Sequence, residues 1–124
     1  MSATCVVATR DNAASLRATL AALLTQEPVG GRPIQILVAD NGSTDETADV
    51  CTALGSRVER IYVREPGQAH AQNEAFKSIG SKVVLLTDDD VIPPPHWAKT
   101  LATPLLEDRA DAVVGGVRIA AHLR

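Results

Sequence analysis

The segment "LLTDDDVIPPPHW" (85–97) joins an apolar run to three consecutive acids and then to three prolines. The apolar residues predict a buried strand, and the prolines predict that it stops there and that a helix begins near His96. Asp88, Asp89 and Asp90 repel one another unless a positive charge lies among them. The segment therefore predicts the end of a core strand that a cation completes.

Strand-like and helix-like stretches alternate along the rest of the chain. Apolar runs predict strands at 3–9, 34–40, 57–65, 82–87 and 111–119. The intervening stretches predict helices at 10–26, 66–80 and 96–107, and a loop followed by a helix at 41–55. This alternation predicts an α/β fold, a three-layer α/β/α sandwich around a mostly parallel, doubly wound, Rossmann-like sheet, in one domain spanning 1–124.

Local signals refine these elements. The runs at 3–9, 34–40 and 82–87 are almost continuously apolar and are expected to be central and buried on both faces, whereas 57–65 alternates as an edge strand does. Cap residues mark several helix ends. Asp11 or Asn12 is expected to start the first helix and Ser43 or Thr44 the second, whereas Gly55 and Gly80 are expected to end the second and third.

Composition excludes several classes of partner. The 124 residues are 45% hydrophobic with a formal net charge of −3 and no basic run, which argues against nucleic acid or an anionic membrane surface. Cys5 and Cys51 lie in no metal-ligand spacing and are expected to be free, buried thiols. With no signal peptide and no apolar run of membrane-spanning length, the expected location is the cytoplasm.

Polar clusters follow three of the predicted strands, at 9–11, 40–43 and 88–90. In a doubly wound sheet these carboxyl ends share one edge, where ligands bind. Each cluster also has a purely structural explanation. Asp11 caps a helix, the segment 40–45 forms an Asx turn with a helix cap, or the three acids form a solvated turn. The three clusters together favour a ligand site.

The acids suit a hard divalent cation. Mg²⁺ and Mn²⁺ prefer oxygen ligands, and Mg²⁺ often takes one or two carboxylates together with substrate phosphates. In extended chain Asp88 and Asp90 point the same way, which assigns them to the metal and Asp89 to a structural role. Asp40 is placed to accept hydrogen bonds from a base or ribose, and Gly42 allows backbone to approach a ligand.

The helix at 66–80 contributes two further candidates. Its predicted inward stripe consists of Ala71, Ala75, Phe76 and Ile79. Gln72 falls on this stripe and Asn73 lies beside it. Their amides either reach the acidic cluster or make structural hydrogen bonds.

Three motifs in register resemble family 2 glycosyltransferases of the GT-A fold. They are "VVATRDNAASLRATLAALLTQ", "ILVADNGSTDET" and "GQAHAQNEAF" with "VVLLTDDDVIPPPHW", which together cover nearly the whole chain. The resemblance implies a UDP- or GDP-linked sugar donor, Mg²⁺ or Mn²⁺ at an Asp-x-Asp motif, and transfer to an acceptor.

Residue roles carry over by position. The candidate nucleotide-sugar site consists of Thr9, Arg10, Asp11, Asp40, Asn41, Gly42, Gln72, Asn73, Asp88 and Asp89. Within it the resemblance implies that Asp40 contacts the base and that Asp88 lies at the ribose or metal. Asp90 is implied to be the chief metal ligand, on the diphosphate side.

The chain departs from the family in two ways. Gln72 stands where the family usually has Arg, which removes a cation that would face the acids and a diphosphate. The family's acceptor-binding half, with the general base of inverting members, matches nothing here. We therefore expect an N-terminal donor-binding portion, inactive by itself, as a fragment, a natural truncation or half of a split enzyme. We also expect that apolar surface exposed by such a cut favours self-association.

Other function classes remain open. A non-catalytic nucleotide-sugar binding module would explain Gln72 and the missing base. A receiver-like domain would need a Lys at a later strand end, but Lys99 falls on a predicted helix. A nucleotidyltransferase would open with a Gly-rich basic loop, and residues 9–15 contain no Gly.

Overall fold

The structure is a computed structural model that describes residues 3–106, apart from the side chain of Gln68. In this range strands and helices alternate strictly, as predicted. The elements are β1 (Ala3–Thr9), α1 (Ala13–Leu24), β2 (Gln35–Asp40), α2 (Thr47–Ala53), β3 (Val58–Tyr62), α3 (Gln68–Lys77), β4 (Val83–Asp88) and α4 (Trp97–Leu106). The strand predicted at 111–119 lies outside the described residues.

The four described strands form one parallel sheet in the order β3-β2-β1-β4. From β1 the chain builds outward through β2 to β3 and then returns to the other side of β1. The strand order therefore reverses between β1 and β4, which is the topological switch point of a doubly wound sheet. The register sets Thr9 beside Asp40 and Ala8 beside Asp88.

Helices cover both faces of the sheet and give it three layers. On one face α1, α2 and α4 bury an aliphatic core in which Leu16, Leu20 and Leu23 of α1 are fully enclosed. On the other face Ala71 and Ala75 of α3 pack against the middle of the sheet. Each fully buried Leu contributes about 1.5–3 kcal/mol. The predicted α/β/α sandwich is confirmed.

The predicted helix ends agree with the structure in part. The start of α1 is confirmed, since Asn12 is its N-cap, although the Asn12 side chain makes no capping hydrogen bond. Ser43 and Thr44 do not cap α2, which begins at Thr47 after a turn. α3 ends at Lys77 rather than at Gly80. The helix stop predicted at Gly55 is confirmed, since it follows α2 with a φ of 85°.

β4 is less buried than its sequence predicts. In the described sheet it pairs only with β1, and α3 packs over β1 and β2. Val84 and Leu86 are consequently 40% and 49% exposed, and Phe76, predicted to point inward, is 40% exposed. β3 lies at the opposite edge, as predicted. Self-association through the exposed apolar residues stays a prediction.

Both cysteines are free and buried, as expected from their spacing. Burial raises the pKa of the Cys5 thiol to about 12 and also raises the pKa of the Cys51 thiol. Among the described residues, no helix has both the length and the apolar character needed to cross a bilayer.

We expect the folded chain to resist thiol reagents. At about pH 8 neither thiol supplies an appreciable thiolate, so labelling by a disulfide reagent should require unfolding and should be complete in denaturant. An unfolded Cys ionises near pH 9.0, well below the folded pKa of Cys5. Stability should therefore fall as pH rises from about 8 toward 11. Rapid labelling of native protein would contradict this expectation.

Candidate functional site

An open cleft of about 470 Å³ lies at the carboxyl edge of the sheet, at the switch point between β1 and β4. It is lined by Ala8, Thr9, Arg10, Asn41, Gly67, Asp88, Asp89 and Asp90. Six of the residues predicted for the site therefore meet here, namely Thr9, Arg10, Asn41, Asp88, Asp89 and Asp90. The strand order brings together side chains from both ends of the described chain.

The three acids divide between exposed and half-buried positions. β4 ends at Asp88, so the next two acids lie in a turn. Asp88 and Asp90 are exposed, whereas Asp89 is half-buried and its Oδ2 accepts a hydrogen bond from Thr9 Oγ1 at 2.8 Å. Asp89 thus ties the turn to β1, which is the geometry that a structural role requires.

Electrostatics single out the same residue. Burial, the largest cause, raises the pKa of Asp89 above its usual range, while hydrogen bonds from Thr9 and Asn12 oppose that shift. The charges of Asp90 and Asp88 raise it further. The Asp89 carboxylate is therefore protonated at a higher pH than an isolated Asp carboxylate would be.

Two polar residues, Thr19 within α1 and Gln26 just after it, hold the segment that follows the acids. Thr19 is fully buried, and its Oγ1 lies 3.0 Å from the carbonyl oxygen of Asp89 and 2.7 Å from that of Val91. Gln26 donates from Nε2 to the carbonyl oxygen of Pro94 at 2.7 Å and accepts from the backbone N–H of Ala98 at 2.9 Å. Neither contact was predicted from the sequence.

Asn41 clamps the chain between β3 and α3. Its Nδ2 donates to the carbonyl oxygens of Val63 and Glu65 at 3.2 and 2.6 Å, and its Oδ1 accepts from the Gly67 N–H at 2.9 Å. Gly67, with a φ of 120°, begins α3 and lies in the cleft wall. The predicted nucleotide-binding Asn41 thus shapes the cleft while lining it.

Asp11 joins two loops rather than lining the cleft, contrary to its predicted position. Its Oδ1 accepts from the Thr44 N–H at 2.7 Å, and its own N–H donates to Ser43 Oγ at 2.9 Å. The residue adopts a left-handed φ of 47°, which is uncommon outside Gly and is tolerated by Asp. Gly42, at a φ of 80°, makes the matching turn and likewise does not line the cleft.

Asp40 is buried beneath this loop and was not expected to be. It is 0% exposed; its Oδ2 accepts from Arg60 Nε at 2.9 Å and its Oδ1 from the Ser43 N–H at 3.0 Å. The Arg60 guanidinium also lies 5.1 Å from the centre of the Tyr62 ring. Asp40 does not line the cleft, so its direct contacts support the loop.

Gln72 and Asn73 also lie away from the cleft lining. Gln72 is half-buried on α3 and Asn73 is exposed. Neither residue is among those that line the cleft. A contact of either amide with a bound ligand stays a prediction.

The acidic turn suits a cation whose remaining ligands are oxygens of a phosphate group. Within residues 3–106, no three His, Cys, Asp or Glu side chains converge closely enough to hold a metal ion by themselves. Asp88 and Asp90 nevertheless offer exposed carboxylates in one cleft. One or two carboxylates, completed by phosphate and water, is the donor set that Mg²⁺ uses.

Comparison with known sequences identifies the family. The profile described as Glycosyl transferase family 2 matches residues 4–121. The chain belongs to glycosyl transferase family 2. Its relatives include the glycosyltransferase GlyG of Streptococcus pneumoniae, 29% identical over 66% of this chain and 29% of that protein. Chondroitin synthase of Pasteurella multocida is 25% identical over 89% of this chain and 12% of its own length.

Solved structures of other proteins share the fold of this family 2 chain. S. aureus TarS 1–349 in complex with UDP has a TM-score of 0.78 at 21% identity, covering 90% of this chain and 34% of that one. The mannosyltransferase PcManGT from Pyrobaculum calidifontis, in complex with GDP-Man and Mn²⁺, has a TM-score of 0.66 at 25% identity, covering 75% and 28%. The GT-A architecture is confirmed, and this chain spans about a third or less of these relatives.

Asn41→Ala should destabilise the fold by roughly 1–3 kcal/mol, because it leaves three backbone groups between β3 and α3 without this partner. Urea unfolding measures the difference. The matched control is Asn73→Ala, whose exposed amide should contribute less than about 0.5 kcal/mol. Equal losses of unfolding free energy in the two variants would contradict a stabilising role for the Asn41 hydrogen bonds.

The stability of Asp89→Asn relative to wild type should be highest near neutral pH. There the folded wild type bears the cost of a partly desolvated charge, and it loses that cost as pH falls through the raised folded pKa. The stability of the variant relative to wild type should therefore decline from pH 7 to about pH 3. Urea midpoints across that range test the sign, and a difference that grows on acidification would refute it.

Proposed function

We propose that this chain is the donor-binding part of a glycosyltransferase, which holds a nucleoside diphosphate sugar together with Mg²⁺ or Mn²⁺. The observation that carries the proposal is the cleft at the switch point, where Asp88, Asp89 and Asp90 meet Arg10 in a family 2 chain. A diphosphate brings negative charge to these acids, so a divalent cation must accompany it. When bound, that cation would neutralise charge on the diphosphate leaving group.

The residues take separate roles in this proposal. Asp90 and Asp88 are the cation ligands, and Asp89 holds their turn against Thr9. Arg10 is exposed in the cleft, where its guanidinium can pair with phosphate or stack on a base. Asp40 was expected to contact the base, but its burial assigns it to the support of the neighbouring loop.

Relatives of similar fold support the ligand class. PcManGT was solved with GDP-Man and Mn²⁺, and a glucosyl-3-phosphoglycerate synthase from Mycobacterium tuberculosis was solved with Mn²⁺ and UDP. These relatives are much longer than this chain. We therefore propose that acceptor binding and deprotonation use residues beyond these 124. The free, buried thiols suit a reducing compartment such as the cytoplasm.

A non-catalytic nucleotide-sugar binding module is the second candidate. Gln72 favours it, because a neutral amide stands where the resemblance implies a cation. The two candidates agree on binding and differ in turnover. Release of the nucleoside diphosphate, measured with an acceptor and the complete protein, separates them.

Titration calorimetry with UDP- and GDP-linked sugars tests the proposal. We expect binding in the presence of Mn²⁺ or Mg²⁺ and a loss of affinity of more than about tenfold with EDTA. Asp90→Asn should weaken metal-dependent binding to a similar extent with little loss of fold. The matched control is Asp49→Asn, which removes an exposed acid from α2 and should bind like wild type. Nucleotide binding that ignores the metal would refute the proposed site.

A further inference from the structure

Thr19 makes an unusual contact for a threonine within a helix. Such a hydroxyl commonly bonds to a carbonyl one turn earlier in its own helix. Thr19 instead donates across to the turn after β4, where its Oγ1 lies 3.0 Å from the Asp89 carbonyl oxygen and 2.7 Å from the Val91 carbonyl oxygen. These two carbonyls flank Asp90 in sequence. One buried hydroxyl therefore holds the backbone on both sides of the proposed cation ligand.

The proline segment after the acids takes hydrogen bonds from two residues that lie just after α1. Pro93, Pro94 and Pro95 have no backbone N–H and offer only carbonyl oxygens. Gln26 donates to the carbonyl oxygens of Pro93 and Pro94, at 3.4 and 2.7 Å, and the Glu27 N–H donates to that of Pro95 at 2.9 Å. The two residues after α1 thus anchor the segment that follows the acidic turn.

Thr19 lies within α1, and Gln26 lies two residues after its last residue. Both side chains bind backbone of the segment that follows β4. One holds the turn that carries Asp90, and the other holds the segment leading to α4. The exposed Asp90 carboxylate therefore belongs to a stretch of backbone that the buried Thr19 hydroxyl holds on both sides.

We propose that Thr19 is a positioning residue, whose hydroxyl sets the backbone of the acidic turn and thereby the affinity of Asp90 for a divalent cation. This inference rests on the proposed function. Mg²⁺ demands near-ideal ligand geometry, and groups that orient metal ligands typically influence metal affinity by 10–100-fold. Neither α1 periodicity nor the acidic motif assigns such a role to Thr19.

Two substitutions separate the hydroxyl from the shape of the side chain. Thr19→Val keeps the shape and removes the donor, whereas Thr19→Ser keeps the donor and removes a methyl group. We expect Thr19→Val to weaken Mn²⁺ binding about tenfold and Thr19→Ser to stay within about twofold of wild type. The probe is Mn²⁺ with UDP present to complete its ligands, followed by titration calorimetry, with Asp90→Asn defining the specific signal.

Thr4→Val is the matched control. Thr4 is also a buried threonine, but its hydroxyl contacts Ser81 at the start of β4, at the opposite end of the sheet. Its loss should leave Mn²⁺ affinity unchanged even if stability falls. Circular dichroism confirms that each variant is folded before binding is compared. If Thr19→Val does not fold, Gln26→Met tests the same support and should show a similar loss.

The outcomes distinguish the inference from the proposed function. Wild-type Mn²⁺ affinity in folded Thr19→Val or, failing that, in Gln26→Met overturns the inference and leaves the metal site standing. Equal losses in Thr19→Val and Thr19→Ser also overturn it, because packing would then explain the effect. Wild-type protein without Asp90-dependent Mn²⁺ binding overturns the metal site, and the inference falls with it.

Discussion

The pairing of β1 with a parallel strand on each side is the constraint on which the rest of this structure depends. All seven residues of β1 are buried, and its register puts Thr9 beside Asp40 and Ala8 beside Asp88. A slip by one residue would move every side chain of β1 to the other face of the sheet and so disrupt the packing of both cores. Apolar packing therefore determines where the polar strand ends meet, before any of them contacts a ligand.

Burial then divides acids of the same chemical type into different roles. Asp40 is enclosed and bound to Arg60, Asp89 is half-buried against Thr9, and Asp90 is exposed in the cleft. A buried carboxylate requires partners, which commits it to a fixed geometry. An exposed one keeps its oxygens accessible to water and ions. The acids nearest the core thus support the loops, and the outermost ones face the cleft.

The sequence predicted the alternating elements, the layers and the acidic strand end, because local periodicity and turn composition encode these features. Thr19 and Gln26 escaped prediction because their partners lie about 70 residues away and are backbone carbonyls without a sequence signature. The exposure of β4 depends on strand order, which periodicity does not reveal. The burial of Asp40 was not predicted, because its partner Arg60 comes from a neighbouring strand.

The Asn41 clamp has a consequence for how this surface can change. Its three hydrogen bonds all reach main-chain atoms, so they do not depend on which side chains the clamped segment carries. Arg64, Glu65 and Pro66 are exposed on that segment beside the cleft. Substitution there can alter the charge and shape presented at the rim while the support beneath remains the same. The rim can therefore vary in sequence while the Asn41 hydrogen bonds that set its backbone are kept.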